Sequence, residues 1–239
     1  GSSADVIELH VREHADTLIT LSELAKLTAL SMEEVQKDVE ELREQKLVYT
    51  FVMRKDTYVW HADSKRAAVH TLKNALRTFE EKYPYRYGMK KAEVQMTYFK
   101  KVKPNVFDKI VELLEEEGEI KRTEEFLGTP EFEICKDEVY ERVSRKILAT
   151  LKNAKYDFVR YSEIEFQGKD GAVSDDILNI LLEEKEVVKV TDDMYTLTAY
   201  MEEAKTVIQT KLKEEGLITI AQVRGCLLYT SPSPRDLST

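Results

Sequence analysis

The side chains with the widest chemical repertoire in this 239-residue chain are four histidines and two cysteines. His10 and His14 stand four residues apart, a spacing that puts two imidazoles on one face of a helix, but neither has a third ligand at a recognised metal spacing. They are expected to be partly exposed helix residues. His61 and His70 complete neither a triad nor a metal set. Cys135 and Cys226 lie too far apart in sequence for zinc pairing and too few for a disulfide framework. No GxGxxG, GxxxxGK[ST] or HExxH stretch occurs, and eight Gly and five Pro leave little material for a phosphate-cradling loop. The expectation is a chain with no catalytic site, no bound cofactor and no metal.

A different chemistry is concentrated in residues 82–103. Seven bases (Lys82, Arg86, Lys90, Lys91, Lys100, Lys101 and Lys103) face a single acid, Glu93. Tyr83, Tyr85, Tyr87, Tyr98 and Phe99 are interleaved with them. Bases neutralise phosphates and aromatic rings stack on unpaired nucleobases, so this stretch is a candidate RNA-facing patch. The alternative is equally physical: the rings fill a core between two helices, and the lysines merely solvate its surface.

The background is acidic. The formal net charge is −9, with 34% charged and 42% hydrophobic residues. That is globular composition, without an apolar run of membrane length or a leader-like start. A cytoplasmic, reducing location follows as the expectation. The chain opens without an initiator Met. From Cys226 the periodic character stops, and residues 226–239 resemble a translated library adapter.

Repeats indicate the elements that must position these residues. A small residue, an acid or amide, and an aliphatic recur as Ser22-Glu23-Leu24, Ala92-Glu93-Val94, Ser162-Glu163-Ile164 and Ala221-Gln222-Val223. Downstream, Leu42 precedes Val48, Leu114 precedes Ile120 and Leu182 precedes Val188, always by six residues. Each paragraph reads as a long amphipathic helix, a short helix, and a third helix striped at i, i+3, i+4 and i+7. An apolar pair, a polar turn and a second β-rich run follow. Ser31 with Glu34 forms a capping box, and Ser174 is a weaker helix start. Asp192-Asp193 marks a hairpin turn. Three helices closed by a hairpin make a winged helix. The predicted fold class is therefore mainly α with small β-hairpins (α+β), in tandem winged-helix modules. They span 1–62, 63–135 and 136–199, with the start of a fourth at 200–225 and the adapter-like tail at 226–239. Each module is expected to own its core, with short polar junctions near residues 61–64 and 135–137.

Winged helices commonly bind DNA through a basic third helix. Here that helix reads SMEEVQKDVEELREQ in the first module, and modules 1–62 and 136–199 are net acidic. A DNA-binding transcriptional regulator should not look so, whereas a protein–protein adaptor of the same fold stays open.

Residues 82–93, Lys-Tyr-Pro-Tyr-Arg-Tyr-Gly-Met-Lys-Lys-Ala-Glu, resemble the Asn-Pro-x-Arg-x-Gly-Met-x-Lys-x-Glu stretch of the bacterial selenocysteine-specific elongation factor family, SelB. Pro84, Arg86, Gly88, Met89, Lys91 and Glu93 match, and Tyr83 stands in place of the Asn. Residues 216–224, Gly-Leu-Ile-Thr-Ile-Ala-Gln-Val-Arg, are similar to the opening of that family's fourth winged helix, so Arg224 joins the candidate RNA-binding residues. The resemblance implies a monomeric, cytoplasmic share of a translation factor. Its absent N-terminal GTPase would hold GTP, Mg²⁺ and selenocysteinyl-tRNA. Its winged helices would reach along the ribosome to the mRNA selenocysteine-insertion hairpin beside a UGA codon. The acidic modules then serve as a spacer, and the chain is cut short inside the fourth module, where hairpin recognition chiefly lies.

Overall fold

The computed structural model describes residues 1–216, 219–223 and 225. Arg224 and the adapter-like stretch with Cys226 lie outside the described residues. The chain divides into two compact units, Gly1–Glu133 and Ile134–Thr239.

Within the first unit one element order occurs twice. It runs α1 (Ser3–Glu13), β1 (Ile19–Thr20), α2 (Leu21–Thr28), α3 (Met32–Glu44), β2 (Val48–Val52) and β3 (Thr57–His61). It then runs α4 (Ala62–Lys82), β4 (Met89–Lys90), α5 (Lys91–Tyr98), α6 (Pro104–Glu116), β5 (Lys121–Thr123) and β6 (Phe126–Gly128). The second unit holds α7 (Glu138–Ala154), 3₁₀ turns at Tyr161–Glu163 and Gly168–Asp170, α8 (Gly171–Glu183), β7 (Val187–Thr191), β8 (Met194–Leu197) and α9 (Thr198–Glu215). Small antiparallel sheets closing helical cores are the α+β winged-helix architecture that the repeats predict.

Local chemistry explains the helix boundaries. The Ser31 hydroxyl accepts from the Glu34 amide at 3.2 Å, while the Glu34 carboxylate accepts from the Ser31 amide at 3.0 Å. This capping box contributes about 1 kcal/mol. Ser174, in contrast, is no cap. α8 begins at Gly171, and the Ser174 hydroxyl donates back to the Gly171 carbonyl at 2.9 Å from inside the first turn.

The third helices all end alike. Lys46, Gly118 and Lys185 take left-handed φ values of 61°, 72° and 61°. The amides of Leu47, Glu119 and Glu186 then donate to the carbonyls of Leu42, Leu114 and Leu181 at 3.0, 2.9 and 3.0 Å. This is the six-to-one bond of a Schellman ending. It corrects the repeat by one residue in the second unit, where Leu181 and Val187 are buried and occupy the positions of Leu42 and Val48. Leu181 and Leu182 are both leucine, and only the packing distinguishes them.

Each hairpin gains a third partner that the repeats do not reveal. β1 pairs with β3 through Ile19 and Val59, and β4 pairs with β6 through Met89 and Leu127. In the second unit a lone bridge from Arg160 to Met194 occupies the same place.

The junction at residues 61–64 is not a linker. β3 runs straight into α4, and the fully buried His61 caps the helix by accepting the Asp63 amide on Nδ1 at 3.0 Å. Strand alternation drives this arrangement, because successive side chains of β3 point to opposite faces. Val59 enters the core of the first repeat, with Ile7, Val11, Leu24, Val35 and Leu42. Trp60 enters the other core, with Leu72, Leu76, Phe99 and Phe107, so the second core recruits Leu18, Phe51 and Trp60 from the first repeat. The Trp60 and Phe99 rings meet edge to face at 6.3 Å.

Candidate nucleic-acid interface

The seven basic residues fall on three stretches of the second repeat. Lys82 closes α4, and Arg86 lies in the turn behind it. The Arg86 guanidinium stands 3.8 Å from the Tyr83 ring centre, and Tyr83 itself packs on Phe79 with centroids 4.8 Å apart. Lys90 is exposed at the β4–α5 step. Lys91 begins α5 and forms an ion pair with Asp108 of α6. Lys100, Lys101 and Lys103 are exposed around the α5–α6 turn, where Lys101 pairs with Asp16 of the first repeat at 3.2 Å. Pairing Lys91 and Lys101 with carboxylates neutralises part of the charge that the composition offers to phosphates.

The aromatic residues divide. Tyr85 and Phe99 are buried, so for these two the core alternative holds. Tyr83 and Tyr87 are half-buried, and Tyr98 is exposed. Two other helices of this unit turn acidic faces to solvent. The exposed side of α3 carries Glu33, Glu34, Glu40, Glu41 and Glu44, and that of α6 carries Asp108, Glu112, Glu115 and Glu116.

Most residues of the 82–93 stretch have architectural work. Gly88 has φ +149°, and a Cβ there would stand 2.1 Å from the Leu127 carbonyl oxygen, so only glycine lets β4 lie against β6. Met89 packs against the second core, while Lys91 ties α5 to α6. Glu93 lies exposed on α5.

One clamp escaped sequence reasoning. The buried Glu80 carboxylate accepts from the Thr129 amide at 2.9 Å and from its hydroxyl at 2.6 Å, fastening α4 to the end of the wing. Gly128 leaves room for it, since a Cβ there would meet the Glu80 oxygen at 2.9 Å. A glutamate in an amphipathic helix gives no signal of burial until its partner is known.

The wing, its third strand and the two helices between them therefore form one tightly specified unit. Residues 74–128 match the family described as "Elongation factor SelB, winged helix". The match begins inside α4 and ends on β6, covering every element of the second repeat apart from the first half of its leading helix. This part of the chain is a winged helix similar to that of SelB. No curated protein matches the chain. Among the described residues no helix is long and apolar enough to cross a membrane.

Proposed function

We propose that the chain works as part of a cytoplasmic selenocysteine-specific elongation factor, as spacer and part of the arm that reaches the mRNA hairpin at a recoded UGA. The observation that carries this reading is the SelB winged-helix match over residues 74–128. It falls in the middle of a tandem array, over the same stretch as the Pro84–Glu93 resemblance. The modular division at 62/63, 135/136 and 199/200 belongs to the same proposal, with the first two modules joined through a common core. Acidic modules suit a spacer, because they do not adhere to ribosomal RNA without sequence preference.

In this reading Lys82, Lys90, Lys100 and Lys103 supply weak, non-selective phosphate contacts, with Arg86, Lys91 and Lys101 contributing only when released from their own partners. Arg224 would add to them from the fourth module. The chain itself binds neither GTP nor GDP. Fluorescence anisotropy with a selenocysteine-insertion hairpin and an unrelated hairpin tests the proposal. Equal, weak binding that falls steeply with salt is expected, as is its loss when Lys82, Lys90, Lys100 and Lys103 become Glu. A preference for the cognate hairpin that persists at physiological salt would overturn the spacer role. Failure of those four substitutions to weaken binding would overturn the assignment of residues.

A further inference from the structure

The pairing of His10 with His14 turns out to have a third member. One candidate ligand atom from each of His10, Glu13 and His14 lies within 4.8 Å of the others, at the C-terminal turn of α1. Glu13 stands between the two imidazoles in the sequence, at the spacing that brings all three together on a helix. Helix geometry supplies the convergence, since i, i+3 and i+4 share one face.

Two further observations concern the ring nitrogens. His14 Nδ1 donates to the His10 carbonyl at 2.9 Å, which fixes the tautomer and leaves Nε2 with its lone pair. A backbone carbonyl holding the second nitrogen is the usual support of a metal-binding histidine. His10 Nδ1 is buried and has no hydrogen-bond partner among the described residues. Its neighbour is the Glu13 carboxylate at 3.8 Å, too far for a hydrogen bond but a separation that an ion with bonds of about 2.0–2.2 Å to each would span. Arg12 does not neutralise Glu13, because it faces Glu8 and Asp63.

We propose that His10, Glu13 and His14 bind one divalent first-row transition cation, of the zinc and nickel class. Two imidazoles and one carboxylate match the donor preference of these ions and disfavour Mg²⁺ and Ca²⁺. Water completes the coordination, since the Glu13 side chain is 54% exposed. The order His-x-x-Glu-His is also that of a zinc-peptidase motif in which the glutamate acts as base. Here Glu13 is itself a ligand and no further carboxylate among the described residues joins the cluster, so the assignment is binding without hydrolysis.

The test is isothermal titration of the full chain, carrying Cys135→Ser and Cys226→Ser to remove thiol ligands, with ZnCl₂ and with NiCl₂. One equivalent is expected to bind with a micromolar Kd and to raise the melting temperature by a few degrees. His10→Ala and His14→Ala should each weaken binding at least tenfold, and Glu13→Gln severalfold, with circular dichroism verifying that α1 persists. MgCl₂ should give no saturable heat. Absence of binding at millimolar zinc, or binding that all three substitutions leave unchanged, would overturn the proposal.

Discussion

α4 and α9 occupy equivalent places, each starting directly after a hairpin, yet they end in different surroundings. α4 buries Val69, Leu72 and Leu76, whereas α9, with 18 residues, buries none among those described. Met201, Ala204 and Ile208 of α9 instead line an apolar cavity of about 660 Å³ together with Tyr156, Phe158 and Tyr200. The contrast teaches that a leading helix draws its burial from the repeat that follows it. α4 has its own short helices and wing; beyond α9 only residues 219–223 and 225 are described.

The sharpest way to break this comparison is proteolysis, where the effect is all or none. The exposed stretch around Glu133, Cys135, Lys136 and Asp137 should be cut first, while residues 61–64 resist, because His61 and Trp60 are buried. Mass spectrometry of the limit digest decides; early cleavage at 61–64 would show that the first two repeats are separate bodies. Next in size are the helix cores. Leu76→Ala should cost about 2–5 kcal/mol, whereas Ile208→Ala in α9 should cost about 1 kcal/mol or less. Trp60 is the single tryptophan, so its fluorescence in urea follows the first unit and reads Leu76→Ala, while helical circular dichroism, after subtraction of that transition, follows the second unit and reads Ile208→Ala. Equal costs would contradict the contrast between the helices. Gly88→Ala should then remove about 2–3 kcal/mol from the same transition, through a strained φ and the collision with Leu127. The smallest effect lies in the second unit. The Arg142 guanidinium, bidentate on Asp170 at 2.6 Å, holds that carboxyl below the usual carboxylate range. Its contribution is present above that range and lost as the pH falls through the lowered value. Thermal melts of Asp170→Asn and the parent should therefore differ slightly at neutral pH and converge in acid.

Much of this organisation is legible in the residues themselves. The repeat spacing, the stripes of the third helices and the Ser31 capping box are local patterns, and local patterns survive folding. What escapes is whatever depends on a partner. Two-residue strands such as Ile19–Thr20 are too short for period-2 alternation to register. Leu181 and Leu182 look equivalent until one faces the core. The apolar run Val59-Trp60 signals burial on both faces of a strand but not that two different repeats provide it. The candidate site shows the same limit. The basic, aromatic segment is plain in the sequence, yet only the fold reveals that Tyr85 and Phe99 are core and that Lys91 and Lys101 are paired.

The two-faced β3 also determines how this chain tolerates changes of length. An extra residue in the β2–β3 turn at 53–56 adds to a loop and leaves both cores their own side chains. The same insertion between Thr57 and Val59 shifts the strand by one and sends Trp60 toward the first core and Val59 toward the second, an exchange of a large ring for a small side chain in both directions. A second inserted residue restores the parity. Tolerance of insertions at this joint should therefore alternate between odd and even numbers, a rhythm that a flexible linker would not have.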